Sequence, residues 1–498
     1  MRFLKLLIHF ILLGWLFSWL RSLLARLPFF HYLQRCWQYC WVSRTPFVKN
    51  MVIGSLFALL FVGLYDSQWI ADIEDLHVDW MISLYRGQPP LKASPHFVLL
   101  DIDNKTYREW KEPALTPRDK LLKLLDFAVT AQPKLIIVDI MLASEQQTEK
   151  GRLEDAALLA YLANYETQHC QTACPHILLA RGLRLPSNVM PYDPNVAPYY
   201  LEQAPSFLEA TVAKSPHIHW AAVLFDREKD RILRRWQLWT PTCTEGKPAV
   251  VPSMSLLSTT LLAESTQGAA RLQKALDQFK PHCRDDSEKE RLPSDIQTPL
   301  FKLNNGISFD LQPSRLSRRI LYTIPWRMLP GDKPQKTLNG SLLLRRFPAF
   351  MPLQANAQNT ALRDSITIIG GSFIEGRDWH STPLGWMPGM SVLANSLHSL
   401  QQYGVLEPPP TWQIFLFAIV LIVLTSWLLT RLHSFWAMLI SVAVFIIILI
   451  PISFYLFQYG VWLSFAIPLA AIQLRQLAES FKEPVVCQDF FVNESTRH

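Results

Sequence analysis

The chain has 498 residues, of which 50% are hydrophobic and 18% are charged, and its net charge is +7 at pH 7. A charged share well below the usual quarter is low for a soluble protein and indicates membrane-embedded segments. The basic residues are interleaved with Leu, Phe and Trp rather than clustered, which argues against a nucleic-acid-binding protein.

The N-terminal region is basic and lacks acids. Residues 1–65 contain lysines and arginines but no carboxylate before Asp66. A basic flank before an apolar span marks the cytoplasmic side of a membrane, so residues 1–46 are predicted to form a cytoplasmic or interfacial segment. The apolar run at residues 3–20 fits a signal peptide or a further span. We favour an in-plane helix, because no small-residue cleavage site follows and the run has basic residues at both ends.

Apolar stretches on either side of a long polar region predict transmembrane helices, because about 20 residues cross a bilayer. One such stretch comes first and three come last: residues 47–66, 411–430, 435–457 and 461–477. The turn after the second stretch is basic and the next turn is uncharged, which places both chain ends, including the tail at 478–498, in the cytoplasm. Residues 67–408 are then one large domain outside the cytoplasm.

The large domain alternates strand and helix patterns. Residues 96–102 and 135–140 are short apolar runs, and residues 117–131 between them carry leucines at helical spacing. Such a strand–helix–strand unit implies parallel pairing in a sheet covered on both faces. Further strands are predicted at 176–180, 220–225, 232–238 and 365–369, helices at 153–165, 252–264 and 391–402, and an exposed polar excursion at 265–300. The fold class is therefore an α/β domain with a mainly parallel or mixed sheet, flanked by one transmembrane helix before it and three after it.

Cysteine placement favours an oxidising compartment. An even number of cysteines falls in the outside domain: Cys170, Cys174, Cys243 and Cys283. They suit two disulfides, although the sequence leaves three connectivities open, with Cys170–Cys174 as one possible pair. A zinc site formed with His169 and His176 is the alternative. We favour disulfides, because thiols outside the cytoplasm become oxidised.

Acids end two neighbouring strands. Asp101 and Asp103 follow the first strand and Asp139 the second, while Asp378 and His380 lie in the loop after the last strand. Open α/β sheets bind ligands at the carboxyl ends of their strands, so these residues are candidate ligands for a cation or for a small cationic or hydroxylated molecule. Whether a metal binds is left open. The alternative is structural: the first two acids cap a turn or helix, and the third closes a hairpin.

The loop after the last strand has turn chemistry. Gly370 and Gly371 allow close backbone approach, and a structural turn is favoured over a phosphate loop because an acid follows them. Thr382, Pro383 and Gly389 are predicted to shape the same loop.

Two further groups of polar residues are interpreted conservatively. The arginines Arg231, Arg234 and Arg235 could bind an anion, but a solvated strand end is the favoured interpretation. Ser372 with Asp378 and His380 suggests a hydrolase, yet no nucleophile elbow surrounds the serine. We therefore predict no catalytic activity and no cofactor.

Sequence motifs along the whole domain carry a family resemblance. They are FVLLDIDNKTY, TPRDKLLKLLDFA, KLIIVDIMLASE, FDREKDRILRRWQL and ITIIGGSFIEGRDWHSTPLGWMPGMSVLANSLHSL. In these stretches and their order, residues 48–475 resemble the type-2 CHASE extracellular sensor domain of bacterial receptors, in which one span precedes the domain and three follow it.

The resemblance implies a sensor subunit in the bacterial inner membrane, with its large domain in the periplasm. Relatives usually continue into a cytoplasmic output domain, whereas about twenty residues follow the last predicted span here. We therefore expect a separate signalling-output or envelope protein as partner, besides the lipid bilayer and, as for related sensors, a second copy of the chain. The alternative function is a structural or assembly subunit of a cell-envelope complex that uses the domain as a docking scaffold.

Overall fold

The computed structural model describes residues 68–142, 148–170, 174–186, 200–226, 228–283, 300–312, 317–330, 332–354, 360–405 and 450–457, with single positions at 52–56 and 416–447. One compact unit comprises Asp75–Pro408 with Ser453–Leu463, and a second comprises Met1–Glu74, Pro409–Ile452 and Ser464–His498. The predicted segments 1–46, 461–477 and 478–498 lie outside the described residues, as do most positions of 47–66, 411–430 and 435–457. No described helix has both the length and the apolarity that crossing a membrane requires.

A parallel sheet of six described strands forms the centre of the domain. In spatial order the strands are β13 (Leu344–Pro348), β1 (Phe97–Ile102), β14 (Ile366–Gly371), β2 (Leu135–Val138), β3 (His176–Ala180) and β6 (Ile218–Ala221), labelled in chain order. Every neighbouring pair is parallel. The central strands are continuous apolar runs because both faces of the sheet are covered. The predicted α/β fold with a mainly parallel sheet is confirmed.

Helices cover the two faces of the sheet. Their bounds are α1 Gln68–Tyr85, α2 Asn104–Glu109, α3 Arg118–Thr130, α4 Glu149–Ala163, α5 Glu209–Lys214, α6 Met254–Leu276, α7 Phe350–Gln354, α8 Gly389–Tyr403 and α9 Ile450–Phe457. Leu99 and Ile137 share one apolar cluster with α1, α6 and α8. Leu100 and Val138, one residue further along each strand, share another with α3 and α4. Alternation along the strands therefore assigns each side chain to one of two cores.

Short two-stranded antiparallel sheets lie outside the main sheet. They are β4 (Leu183–Arg184) with β5 (Glu202–Gln203), β7 (Phe225–Asp226) with β8 (Arg235–Trp236), β9 (Trp239–Thr244) with β10 (Lys247–Pro252), β11 (Phe301–Lys302) with β12 (Ser308–Phe309), and β15 (Trp379–Thr382) with β16 (Gly385–Pro388). The predicted hairpin at 220–238 is present, but its strands shrink to β7 and β8, because residues 218–221 pair with β3 in the main sheet.

The predicted polar excursion at 265–300 is wrong at its beginning. Helix α6 continues to Leu276, and Leu272, Leu276 and Phe279 are buried. The backbone turns at Ser265, whose φ is 55°, and the Ser265 hydroxyl lies 3.0 Å from Nε2 of His176. Because of this kink, the apolar residues in the second half of α6 face the core. The spacing expected for a straight helix does not show this, so the sequence pattern there looked irregular. Residues 284–299 lie outside the described part.

The four cysteines form two pairs. Cys170 bonds to Cys174 and Cys243 to Cys283, with Cα–Cα distances of 5.3 and 5.7 Å. The prediction of two disulfides is confirmed, and of the three connectivities that the sequence leaves open the structure has the one with Cys170 bonded to Cys174. A disulfide leaves no thiolate for the alternative zinc site. His169 stacks on Tyr161 instead, with 3.9 Å between ring centroids.

A buried amide anchors the segment after residue 320 to α8. The Asn395 side chain is fully buried; its Oδ1 accepts hydrogen bonds from the backbone N–H groups of Thr323 and Ile324 at 3.1 and 2.9 Å. Its Nδ2 donates to the carbonyl oxygens of Ile324 and Ser391 at 2.9 and 3.0 Å. Buried amides of this kind need such partners because water cannot replace them.

We expect Asn395→Ala to lower the free energy of unfolding by about 3 kcal/mol, because buried backbone groups lose their only side-chain partner. Urea unfolding of the full chain, followed by tryptophan fluorescence, measures the change. Asn304→Ala, at an exposed position, is the matched control and should change stability by less than about 0.5 kcal/mol. Equal effects of the two substitutions would contradict the anchoring role.

The two disulfides should contribute unequally. The Cys243–Cys283 bond closes a loop of 40 residues and the Cys170–Cys174 bond one of 4. In the chain-entropy account, replacing the first pair by serines costs about 4 kcal/mol and replacing the second about 2 kcal/mol. Unfolding of the two double variants under oxidising conditions tests this order, and a reversed order would show that loop length does not govern their contribution.

Candidate functional site

Two acids flank a glycine at the carboxyl ends of three adjacent strands. Asp101 on β1 is in register with Gly370 on β14, and Asp139 follows Val138, the β2 partner of Ile369. A Cβ at Gly370 would lie 3.0 Å from the end of the Met390 side chain and 3.4 Å from Cβ of Asp139. Glycine therefore lets α8 approach the sheet between the two carboxyl groups.

The directions of the chain connections favour a ligand crevice at this point. After β1 and β2 the chain runs to α3 and α4 on one face of the sheet, whereas after β14 it runs to α8 on the other face. Where neighbouring strands send their connections to opposite faces, the connections separate and leave a cleft at the strand ends.

The Asp101 carboxyl is buried, with 2% of the residue exposed. Its Oδ2 accepts a hydrogen bond from the Ser372 hydroxyl at 2.9 Å and lies 4.0 Å from Nε of Arg346. Its Oδ1 has no hydrogen-bond partner among the described residues. Burial raises the pKa of Asp101 to about 6, although Ser372 and Arg346 favour the ionised form; the nearby charge of Asp103 adds to the rise.

A second group surrounds Asp139. Nε2 of His380 lies 2.9 Å from Oδ1 of Asp378, and both residues are on the rim of the crevice. Burial, reinforced by the charge of Asp378 and partly opposed by His380, raises the pKa of Asp139 to about 7. The crevice thus holds two carboxyl groups that gain or lose a proton near neutral pH, and each of them favours a cationic neighbour.

Asp103 caps a helix, which is the structural alternative to ligand binding given for it in the sequence analysis. Its Oδ1 accepts hydrogen bonds from the backbone N–H and the hydroxyl of Thr106, at 2.8 and 2.7 Å, and so caps α2. It does not join Asp101 in a shared ligand set. Within the described ranges, no three His, Cys, Asp or Glu residues are placed to hold a metal ion.

The loop residues have distinct packing roles. At Gly371 a Cβ would come within 2.8 Å of the Phe373 ring. Gly389 begins α8, and a Cβ at this position would overlap the carboxylate of Asp378. Thr382 donates from its hydroxyl to the carbonyl oxygen of Gly385 at 2.7 Å and closes the β15–β16 turn, in which Pro383 lies.

The interpretation of Arg234 and Arg235 as a solvated strand end is wrong. Both are buried, at 5% and 4% exposure, and Arg319 beside them is fully buried. Only Arg231 is exposed, with φ of 62°. The sequence pattern misled because the arginines share a turn with Asp and Glu, which is typical of a surface.

These arginines form an ion-pair cluster with helix α1, which we call the α1 clamp: Asp75, Asp79, Glu228, Asp230, Arg234, Arg235 and Arg319. Arg234 binds both carboxylate oxygens of Asp79, with Nη2–Oδ2 at 2.8 Å, and Asp230 at 2.7 Å. Arg235 bridges Asp75 and Glu228. Arg319 reaches Asp75, and also Asp79 at 3.3 Å.

The electrostatics of the α1 clamp favour the ionised state of its acids. Burial would raise the pKa of Asp75, but the Arg319 and Arg235 guanidinium groups hold it below its usual value. Hydrogen bonds from Arg234 lower the pKa of Asp230. One sequence signal could have revealed the clamp: Asp75 and Asp79 are four residues apart, on one face of a helix.

A comparison with known protein families matches residues 55–432 to the CHASE2 domain. The chain belongs to the CHASE2 domain family. This is a family of extracellular sensor domains, so the predicted resemblance is confirmed and the domain is of a sensor type. No curated protein and no solved structure matches the chain.

The raised pKa of Asp101 predicts how the stability of this CHASE2 domain depends on pH. Because its folded pKa, about 6, exceeds its ordinary value of 3.8, folding favours the protonated acid, and stability is lost as pH rises from about 4 to about 6. Asp101→Asn keeps an acceptor for Ser372 but cannot ionise. Its stability relative to the native chain should therefore grow across that window by about 3 kcal/mol.

Urea unfolding at pH values from 4 to 8 tests the prediction. Asp364→Asn is the control, since Asp364 is exposed and asparagine tolerates its φ of 58°, so this substitution should change stability by less than about 0.5 kcal/mol at every pH. A difference between Asp101→Asn and the native chain that stays constant over this range would show that Asp101 is not the titrating group.

Proposed function

We propose that the chain is a membrane-anchored sensor subunit. Its CHASE2 domain would lie in the periplasm of a bacterial inner membrane, detect a small molecule or an envelope signal, and relay it to a separate cytoplasmic or membrane partner. Family membership supports the sensor role. The basic, acid-free N-terminal region and the two disulfides support the placement of the domain outside the cytoplasm.

The α1 clamp is the observation that carries the proposed relay. Helix α1 begins at Gln68, shortly after the predicted span 47–66. Its Asp75 and Asp79 form ion pairs with the arginines of the β7–β8 hairpin and with Arg319. A change in the domain that favours another position of α1 would be passed along the chain to the predicted span that precedes the helix. A ligand biases such an element only if it binds one state better than the other.

The proposal assigns the chain no catalytic role. Ser372 donates to Asp101 rather than to a histidine, and His380 contacts Asp378 on the rim. The partners in this proposal are the bilayer, an output protein and a second copy of the chain. Nucleic acid is not among them.

Crosslinking in native membranes tests the relay. We expect purification of the full chain after crosslinking, followed by mass spectrometry, to recover an output protein such as a kinase, a cyclase or an anti-sigma-like regulator. Asp79→Asn removes a carboxylate that Arg234 and Arg319 share. This loosens α1, and the amount of captured output protein should change at least twofold.

Ser83→Ala, at an exposed position of the same helix, is the control and should leave capture unchanged. Protease resistance of the domain verifies that each variant is folded. Recovery of secretion, pilus or cell-wall components without an output protein would replace the relay by the scaffold function. Equal capture by Asp79→Asn and the native chain would refute transmission through the α1 clamp.

A further inference from the structure

A pocket of about 410 Å³ lies beside the end of α1. Its walls come from Arg86 and Gly87 directly after the helix, from residues 324–326, 328 and 332–335, and from Leu344 and Arg346 on the edge strand β13. It is separate from the sequence-predicted acids, since neither Asp101 nor Asp139 lines it. It nevertheless touches that site through Arg346, whose Nε lies 4.0 Å from Asp101.

The charged residues of the pocket wall are mainly cationic. Three basic side chains, Arg86, Lys333 and Arg346, line the pocket with one acid, Asp332, whose Oδ2 already accepts a hydrogen bond from Nη2 of Arg86 at 2.7 Å. No carboxylate in the described part of the chain forms an ion pair with Lys333, and 51% of the Arg346 side chain is exposed. Among the described residues, Lys333 therefore lines the pocket without a counterion, and Arg346 pairs only with Asp101 at 4.0 Å. The wall keeps a net positive charge, which favours an anionic occupant.

The same wall offers a flat apolar surface. The guanidinium of Arg346 lies 4.4 Å from the ring centroid of Trp326, and Met328, Pro325 and Pro334 extend the apolar part. A stacked arginine keeps its hydrogen-bonding edge free, so it can bind a carboxylate or phosphate while its face rests on the ring.

The pocket is built on fixed elements. Trp326 packs edge-to-face against Trp379 at 6.1 Å, and the indole N–H of Trp379 donates to the carbonyl oxygen of Ser372 at 3.1 Å. Asn395 holds the backbone at residues 323 and 324, directly before the indole. Nε of Arg86 is buried without a hydrogen-bond partner among the described residues. Preorganised walls reduce the entropy lost on binding.

We propose that this pocket binds a small organic anion, whose carboxylate or phosphate contacts Arg346 and Lys333 and whose flat apolar body lies against Trp326 and Met328. Binding of the anion does not depend on the proposed function. Only the further step, that the anion is the signal which the sensor detects, rests on that function. Because Arg86 follows the last turn of α1, the occupant would contact the end of the helix that the α1 clamp holds.

Ligand-observed NMR on the purified full chain in lipid nanodiscs, with empty nanodiscs subtracted, tests the proposal. The probes are benzoate and phenyl phosphate, with benzamide as the neutral analogue of benzoate and inorganic phosphate as the anion without an apolar body. We expect saturable binding of both aromatic anions with Kd on the order of 1 mM, as befits ligands of about ten heavy atoms. Benzamide and inorganic phosphate should bind at least tenfold more weakly.

Arg346→Gln and Lys333→Gln should each weaken benzoate binding at least tenfold, whereas Lys336→Gln, an exposed lysine of the same segment outside the pocket wall, should not. No saturable binding of either aromatic anion, equal binding of benzoate and benzamide, or native affinity in both pocket variants would each overturn the proposal. Binding is measured on the purified chain, so failure to capture an output protein would remove the relay and leave this result standing.

Discussion

Three guanidinium groups, those of Arg234, Arg235 and Arg319, lie beside helix α1 almost without contact with water. Removing a charge from water costs several kcal/mol, so each of them is tolerable only beside carboxylates with good hydrogen-bond geometry. Asp75 and Asp79 provide these from α1, and Glu228 and Asp230 from the turn of the β7–β8 hairpin. Both groups of acids are needed, since Arg234 binds Asp79 of α1 and two acids of the turn, and Arg235 binds one acid from each. The position of α1 and the conformation of the hairpin therefore depend on each other.

This constraint limits what a signal can do. Asp79 and Arg86 are seven residues apart, about two turns of helix, so the α1 clamp and the pocket wall act on the same rigid element. An occupant of the pocket can move α1 only by favouring a position in which the buried ion pairs are kept or replaced. Its differential affinity for the two positions must exceed what the clamp loses. A clamp with several shared partners suits this role, because a carboxylate released by one arginine can stay bound to another.

Much of the fold follows from local pattern, and what escapes prediction is non-local. Strand β3 and helix α8 were predicted nearly to the residue. The apolar run of β3 is short and bounded by other residue types, and the apolar residues of α8 recur at helical spacing. Strand β13 was missed because its sequence, LRRFP, carries two arginines; it lies at the edge of the sheet, where such residues reach solvent. The clamp was missed for another reason. The ion pairs that join α1 to the arginines link residues 155 to 244 positions apart along the chain. The four-residue spacing of Asp75 and Asp79 indicates a shared helix face but does not identify such distant partners.

The strand-end acids show the same limit at the level of single side chains. Their position at the end of the sheet was predictable, but the role of each acid depends on the residues that contact it. Asp103 accepts hydrogen bonds from Thr106 and caps a helix, whereas Asp101 contacts Ser372 and Arg346 from distant segments. Arg346 also faces the pocket, so one guanidinium serves two sites of opposite preference. An anion that draws it away leaves Asp101 with fewer positive neighbours and raises the pKa of that carboxyl further. If the proposed anion binds Arg346 in this way, its binding and proton uptake by Asp101 are coupled in the same direction, and by linkage acidification strengthens the binding of that anion.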